Sequence, residues 1–230
     1  MNVKSIYKYD IALYPFHKFF LDHFSKLGVK RLDLLHDQVP VEYRNAELLS
    51  ADNDQNQNIH TYLYKIDPAF NLDVNETSGE FIQCYEKFIQ YVRDNFFDEK
   101  LIYQSKPTLR VHYPNNLAVG EFHRDGDYNH PLEEINIWVP VTSAKETSSI
   151  WIESEYDKQD FSPSNLNLGE FLIFDSALMH GNKKNQENLT RISFDFRVIP
   201  YSKWKNNNID KSSVTRNVKF KIGDYYSVSE

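Results

Sequence analysis

Residues 190–198 read TRISFDFRV, and this stretch decides the fold. Arg191, Ser193, Asp195 and Arg197 share one parity, while Ile192, Phe194, Phe196 and Val198 share the other. A period of two marks a strand whose two faces meet different surroundings. The apolar set should meet a packed layer. On an inward face the two arginines would cost on the order of several kcal/mol to bury unless something anionic met them. Asp195 and Glu170 could serve as ion-pair partners, and a bound carboxylate could serve equally.

The same period extends outward in both directions. In PTLRVHYP (107–114), Thr108, Arg110 and His112 alternate with Leu109, Val111 and Tyr113. AVGEFHRD (118–125), EEINIWVPV (133–141), SSIWIES (148–154) and GEFLIF (169–174) read as further strands, separated by polar turn segments such as DYNHP, SAKETS and NKKNQEN. Short strands between turns, with no helical crossovers, predict a mainly β jelly roll or cupin-like barrel with flanking helices.

The first hundred residues follow another rhythm. Phe16, Phe20, Phe24 and Leu27 fall at helical spacing before Gly28, and residues 78–97 place Phe81, Tyr85, Phe88 and Val92 on one face behind a Ser78 cap. Between them, Pro40, Pro68 and the polar run ADNDQNQN (51–58) predict short elements and a loop. We read 1–230 as a single domain. Its mostly helical part, 1–105, buttresses a β core at 106–200, and 201–230 adds an edge strand or lid.

Charge and cysteine usage narrow the function. With 26 basic and 33 acidic residues the net charge is −7, which argues against a nucleic-acid partner. Cys84 is the single cysteine, so neither an internal disulfide nor a cysteine-rich metal site can form. The start MNVKSIYKYD lacks the apolar run of a signal peptide, and no run approaches bilayer length. The expectation is a cytoplasmic protein without a membrane partner.

His123 and Asp125 lie two apart on an expected strand, so their side chains leave one face. His180 follows the apolar strand 169–174 and should reach the barrel mouth. Two imidazoles and a carboxylate can hold one face of a metal octahedron and leave the other open. His112, Asp127, His130 and Asp175 are further possible donors, so spacing alone does not fix the set. Arg191 could clamp a carboxylate with its planar fork, with Ser193 adding a hydroxyl. Asn136 could hydrogen-bond a metal-bound keto-acid. Arg110, Arg197, Trp138 and Glu153 are candidates for substrate contact, and Tyr225–Tyr226 could line a substrate mouth.

Taken together, these residues resemble the Fe(II)- and 2-oxoglutarate-dependent dioxygenases. The likeness rests on His123-x-Asp125, the distal His180 and Arg191-x-Ser193. It is closest to the phytanoyl-CoA-type branch and its streptomycin-biosynthesis-associated proteins, through E-x-N-x-W-x-P (Glu134 to Pro140) and R-x-S-F-D-F-R (Arg191 to Arg197). It covers roughly residues 105–230. It implies a double-stranded β-helix with Fe(II) on His123, Asp125 and His180. It also implies 2-oxoglutarate held by Arg191, Ser193, Asn136 and Tyr113, and O2 as oxidant. Oxidative decarboxylation to succinate and CO2 would drive oxidation of a small polar metabolite, with a sugar or aminocyclitol moiety favoured and hydroxylation the default. Two other readings use the same residues: a redox-neutral metal cupin (isomerase or lyase), and a carbohydrate-binding jelly roll with no chemistry.

Overall fold

The computed structural model describes residues 4–39, 79–118, 121–204, 212 and 219–230. Pro40, Pro68, the run 51–58 and the expected Ser78 cap lie outside the described residues. Ten strands are assigned among the described residues. They are β1 (Lys4–Lys8), β2 (Leu101–Gln104), β3 (Thr108–His112), β4 (Ile135–Pro140), β5 (Trp151–Ile152), β6 (Ser162–Pro163), β7 (Glu170–Asp175), β8 (His180–Gly181), β9 (Arg191–Pro200) and β10 (Tyr226–Val228). Among the described residues two α-helices, α1 (Phe16–Ser25) and α2 (Glu80–Phe96), precede most of them. Among the described residues, no helix is long and apolar enough to cross a membrane.

The strands form two antiparallel sheets. The larger has the order β1-β7-β4-β9-β2-β10, with β3 also paired to β9; the smaller has the order β6-β5-β8. The outer face of the large sheet carries Leu109, Val111, Ile137, Val139, Phe171, Ile173, Ile192, Phe194, Phe196 and Val198, all in one cluster with the helical phenylalanines. Phe16 meets Phe194 at 4.8 Å between ring centroids, Tyr85 meets Phe196 at 5.1 Å and Phe88 meets Phe171 at 5.3 Å, all edge to face. Such pairs add about 0.5–1.5 kcal/mol each beyond the area they bury. The apolar parity of TRISFDFRV is thus consumed by α1 and α2.

On the other face, Trp138, Leu172 and Phe174 of the large sheet pack against Ile152, Leu166 and Leu178 on the small-sheet side. Two facing antiparallel sheets closed around this second core make the double-stranded β-helix. Both expected helices form, slightly shorter than expected, and Gly28 takes the left-handed φ of 84° just past the first. Two expected strands shrink. Of 148–154 only Trp151–Ile152 pairs, and the described residues of 118–125 keep a single bridge, from His123 to His180, before a 3-10 turn over Asp125–Tyr128. The Asp127 carboxylate accepts the Arg124 N–H at 2.9 Å, and such a local side-chain bond competes with the ladder.

Candidate metal centre

Register alone assembles the inner face. Arg191 stands opposite His112, Ser193 opposite Arg110, and Arg197 opposite Asn136. The polar parity of β9, β3 and β4 therefore forms one continuous patch facing the small sheet. From the small sheet, β8 brings His180. His123 reaches it through a pair of backbone bonds, with its N–H donating to His180 O at 3.0 Å and the reverse bond at 2.9 Å.

The three expected donors converge. Ligand atoms of His123, Asp125 and His180 all lie within 4.8 Å of one another, with Asp125 Oδ1 at 3.8 Å from His123 Nε2 and 3.7 Å from His180 Nε2. Three donors about 2.1 Å from an ion on one octahedral face sit about 3 Å apart, so small inward shifts complete the face. Each ring is already oriented. His123 Nδ1 donates to Glu121 O and His180 Nδ1 to Leu178 O, both at 2.8 Å, which leaves both Nε2 lone pairs facing the centre when the rings are neutral. Burial, and after it His180, pushes the His123 imidazole down to about 4. Burial alone would raise the Asp125 carboxyl, but Arg197 overrides it and holds the group well below the usual carboxylate range. The donor set is two imidazoles and one carboxylate, which suits a divalent first-row metal.

Arg191 differs from the other two arginines of this face. Its donors meet Ser148 O at 3.0 Å, Ser193 Oγ at 2.8 Å, Asn182 Oδ1 at 2.8 Å and His112 Nδ1 at 3.3 Å. All four acceptors are neutral, and among the described residues no carboxylate lies within ion-pair distance. The expected alternatives, Asp195 and Glu170, are engaged elsewhere. Asp195 binds Arg110 at 2.8 Å and Arg197 at 3.0 Å, and Glu170 caps Asn167. Burial, then the nearby Arg110, pulls the Arg191 guanidinium down to about 9. Ser193 Oγ accepts from both Arg191 and Trp138 Nε1, the latter at 3.0 Å, so its own proton is available to an incoming acceptor.

Other residues have more local duties. Arg197 grips Asp125 (Nε to Oδ2, 3.1 Å) and Asp195, and its charge is spent on protein carboxylates rather than on a substrate. Arg110 pairs with Asp195 through Nε and stays partly exposed. Trp138 is buried between the sheets, and Tyr113 is fully buried within the helix-side cluster. Glu153, expected near the substrate mouth, is fully buried and accepts the Met179 N–H at 2.7 Å. Tyr226 donates to the buried Glu134, which also takes His130 at 2.8 Å, so β10 is tied to the edge of the centre. The side-chain amide of Asn136 is buried, and among the described residues neither of its polar atoms has a partner. Sequence reasoning missed Arg124, Asn182 and the acceptor role of His112. Only the last had a signal, in its shared parity with Arg110.

No protein-family profile matches the chain. The streptomycin biosynthesis protein StrG of Streptomyces griseus is 39% identical over 124 residues, 54% of this chain and 58% of that protein, so the match spans little more than half of either. Solved structures with related folds include CytC3 with Fe(II) and alpha-ketoglutarate (11% identity, 92% of this chain and 79% of that one, TM-score 0.49). They also include AviO1 from Streptomyces viridochromogenes (16% identity, 87% and 91%, TM-score 0.44) and the non-haem monooxygenase ThoJ in its nickel complex (14%, 52% and 53%, TM-score 0.43). By sequence the chain is thus a relative of StrG over about half its length.

Proposed function

We propose that this protein is an Fe(II)- and 2-oxoglutarate-dependent oxygenase acting on a small polar metabolite. The observation that carries the reading is Arg191: a buried guanidinium, 2% exposed, whose partners among the described residues are all neutral, one of them Asn182, two residues past His180 of the two-histidine, one-carboxylate triad. An uncompensated buried charge is unfavourable, and a dicarboxylate cosubstrate supplies the missing anion. His123, Asp125 and His180 would hold the iron. Arg191 and the Ser193 hydroxyl would bind the far carboxylate of 2-oxoglutarate, and the unpartnered Asn136 amide would meet its keto-acid end. When bound, iron and 2-oxoglutarate supply the oxidation of substrate by O2, coupled to release of succinate and CO2.

The protein's own part is orientation and exclusion of water. Arg197 keeps Asp125 ionised for the metal, the two backbone carbonyls fix the imidazole tautomers, and Trp138, buried between the sheets, holds the Ser193 hydroxyl at 3.0 Å. The likeness to StrG favours a sugar or aminocyclitol substrate, and hydroxylation is the simplest outcome. A redox-neutral cupin would use the same triad but leave Arg191 without its anion. Incubation with ferrous ion, 2-oxoglutarate and O2 tests the reading. Wild type should release succinate in an iron-dependent manner even without substrate, and His180→Ala should release none. Absence of succinate from metal-loaded wild type, across a panel of sugar and cyclitol metabolites, would remove the oxygenase assignment.

A further inference from the structure

Glu153 lies just past β5 and is fully buried. A carboxylate out of water needs donors on both oxygens, and three segments supply them. Oε1 accepts the Met179 N–H at 2.7 Å and Arg124 Nη2 at 3.4 Å, and Oε2 accepts the Gln159 N–H at 3.1 Å. The Glu153 N–H in turn donates to Met179 O at 3.1 Å. Met179 immediately precedes His180, and Arg124 stands between His123 and Asp125. The same guanidinium donates through Nε to Ala177 O at 3.0 Å. One buried side chain therefore touches both stretches of chain that carry the triad. The outer end of Arg124 is steadied by Asp157 at 3.2 Å and by the Tyr156 ring at 4.7 Å.

We propose that Glu153 is a positioning residue of the metal centre, clamping the 123–125 and 176–180 segments so that their donors converge before an ion arrives. This rests on reading the triad as a metal centre. A carboxamide of the same size would offer one oxygen and one NH2 group where three donors now converge. At least one N–H would then face another, and the clamp would open on that side with the packing volume unchanged.

The test is a Co(II) titration of wild type, Glu153→Gln and Arg124→Gln without 2-oxoglutarate, following the visible d–d bands, alongside the thermal midpoint of each metal-free protein. Glu153→Gln should lose about 10- to 100-fold in Co(II) affinity and show altered bands, as outer-shell changes at metal sites do. Arg124→Gln, which removes one arm of the clamp, should lose less. Wild-type affinity and bands in a folded Glu153→Gln would overturn the proposal, even if its metal-free midpoint fell, because that pattern marks a merely structural carboxylate. If Glu153→Gln does not fold, Arg124→Gln decides by the same criteria. Failure of wild type to bind Co(II) would instead overturn the metal-centre reading on which the clamp depends.

Discussion

His112 shows how a single side chain ties stability to the surroundings of Arg191. Its Nε2 donates to Asn116 O at 2.8 Å, so Nδ1 must accept, and Arg191 Nη2 is the donor that faces it. Burial first, then the adjacent Arg191, drives the imidazole down to about 3. The folded protein therefore keeps His112 neutral, whereas the unfolded chain protonates it near the ordinary value of about 6.5. Unfolding takes up a proton between those two values. This contribution is complete above about pH 6.5 and is lost as pH falls toward 3, with a limiting slope of about 1.4 kcal/mol per pH unit. Urea unfolding of the metal-free protein between pH 7 and 4 should show this slope reduced by up to that amount in His112→Gln, whose amide oxygen can still accept from Arg191. An unchanged slope would mean that His112 titrates normally in the folded state. At this scale the sequence carried residue types and parity but not partners. TRISFDFRV placed Arg191 and Arg197 on one face, yet nothing in it said that Arg197 would be spent on Asp125 while Arg191 met only neutral acceptors. Those choices depend on where Ser148 and Asn182 arrive from elsewhere in the chain.

At the level of elements, β8 is a two-residue strand with a large consequence. Its Gly181 packs directly on the residues before His123: a Cβ there would lie 3.0 Å from both Phe122 Cα and its ring, and 3.1 Å from Glu121 O. The close approach is what lets His123 and His180 exchange backbone hydrogen bonds. Gly181→Ala should push the two segments apart and weaken Co(II) binding by roughly tenfold or more, as judged from other supporting positions around metal sites. Titration with Co(II) checks it, and unchanged affinity would show that the backbone contact is dispensable. Long elements such as β9 and α2 were legible because alternation and helical spacing persist over many residues. The segment around His123 was not, because Asp127 captures the Arg124 N–H and turns a short expected strand into a bridge followed by a 3-10 turn. His123 and Asp125 nonetheless stay together, since they are separated by a single residue.

For the whole molecule, the division of labour runs across the large sheet. Its outer face is filled by the aromatic residues of α1 and α2, and its inner face carries the polar parity of β3, β4 and β9 next to a smaller apolar core shared with the small-sheet side. That polarity was readable in the alternating strands, and the donor triad was readable in their order. That the helices would cover the apolar side was readable too, but which strands split off into the small sheet was not, because it depends on long-range pairing that no local pattern encodes. The central claim is that one cavity binds iron through the triad and 2-oxoglutarate through Arg191. Anaerobic addition of ferrous ion and 2-oxoglutarate, followed by visible absorption, tests it most directly. A metal-to-ligand charge-transfer band should develop in wild type, weaken in Arg191→Ala and be absent from His180→Ala. A folded wild-type protein that gives no band, or a band indifferent to both substitutions, would contradict the account.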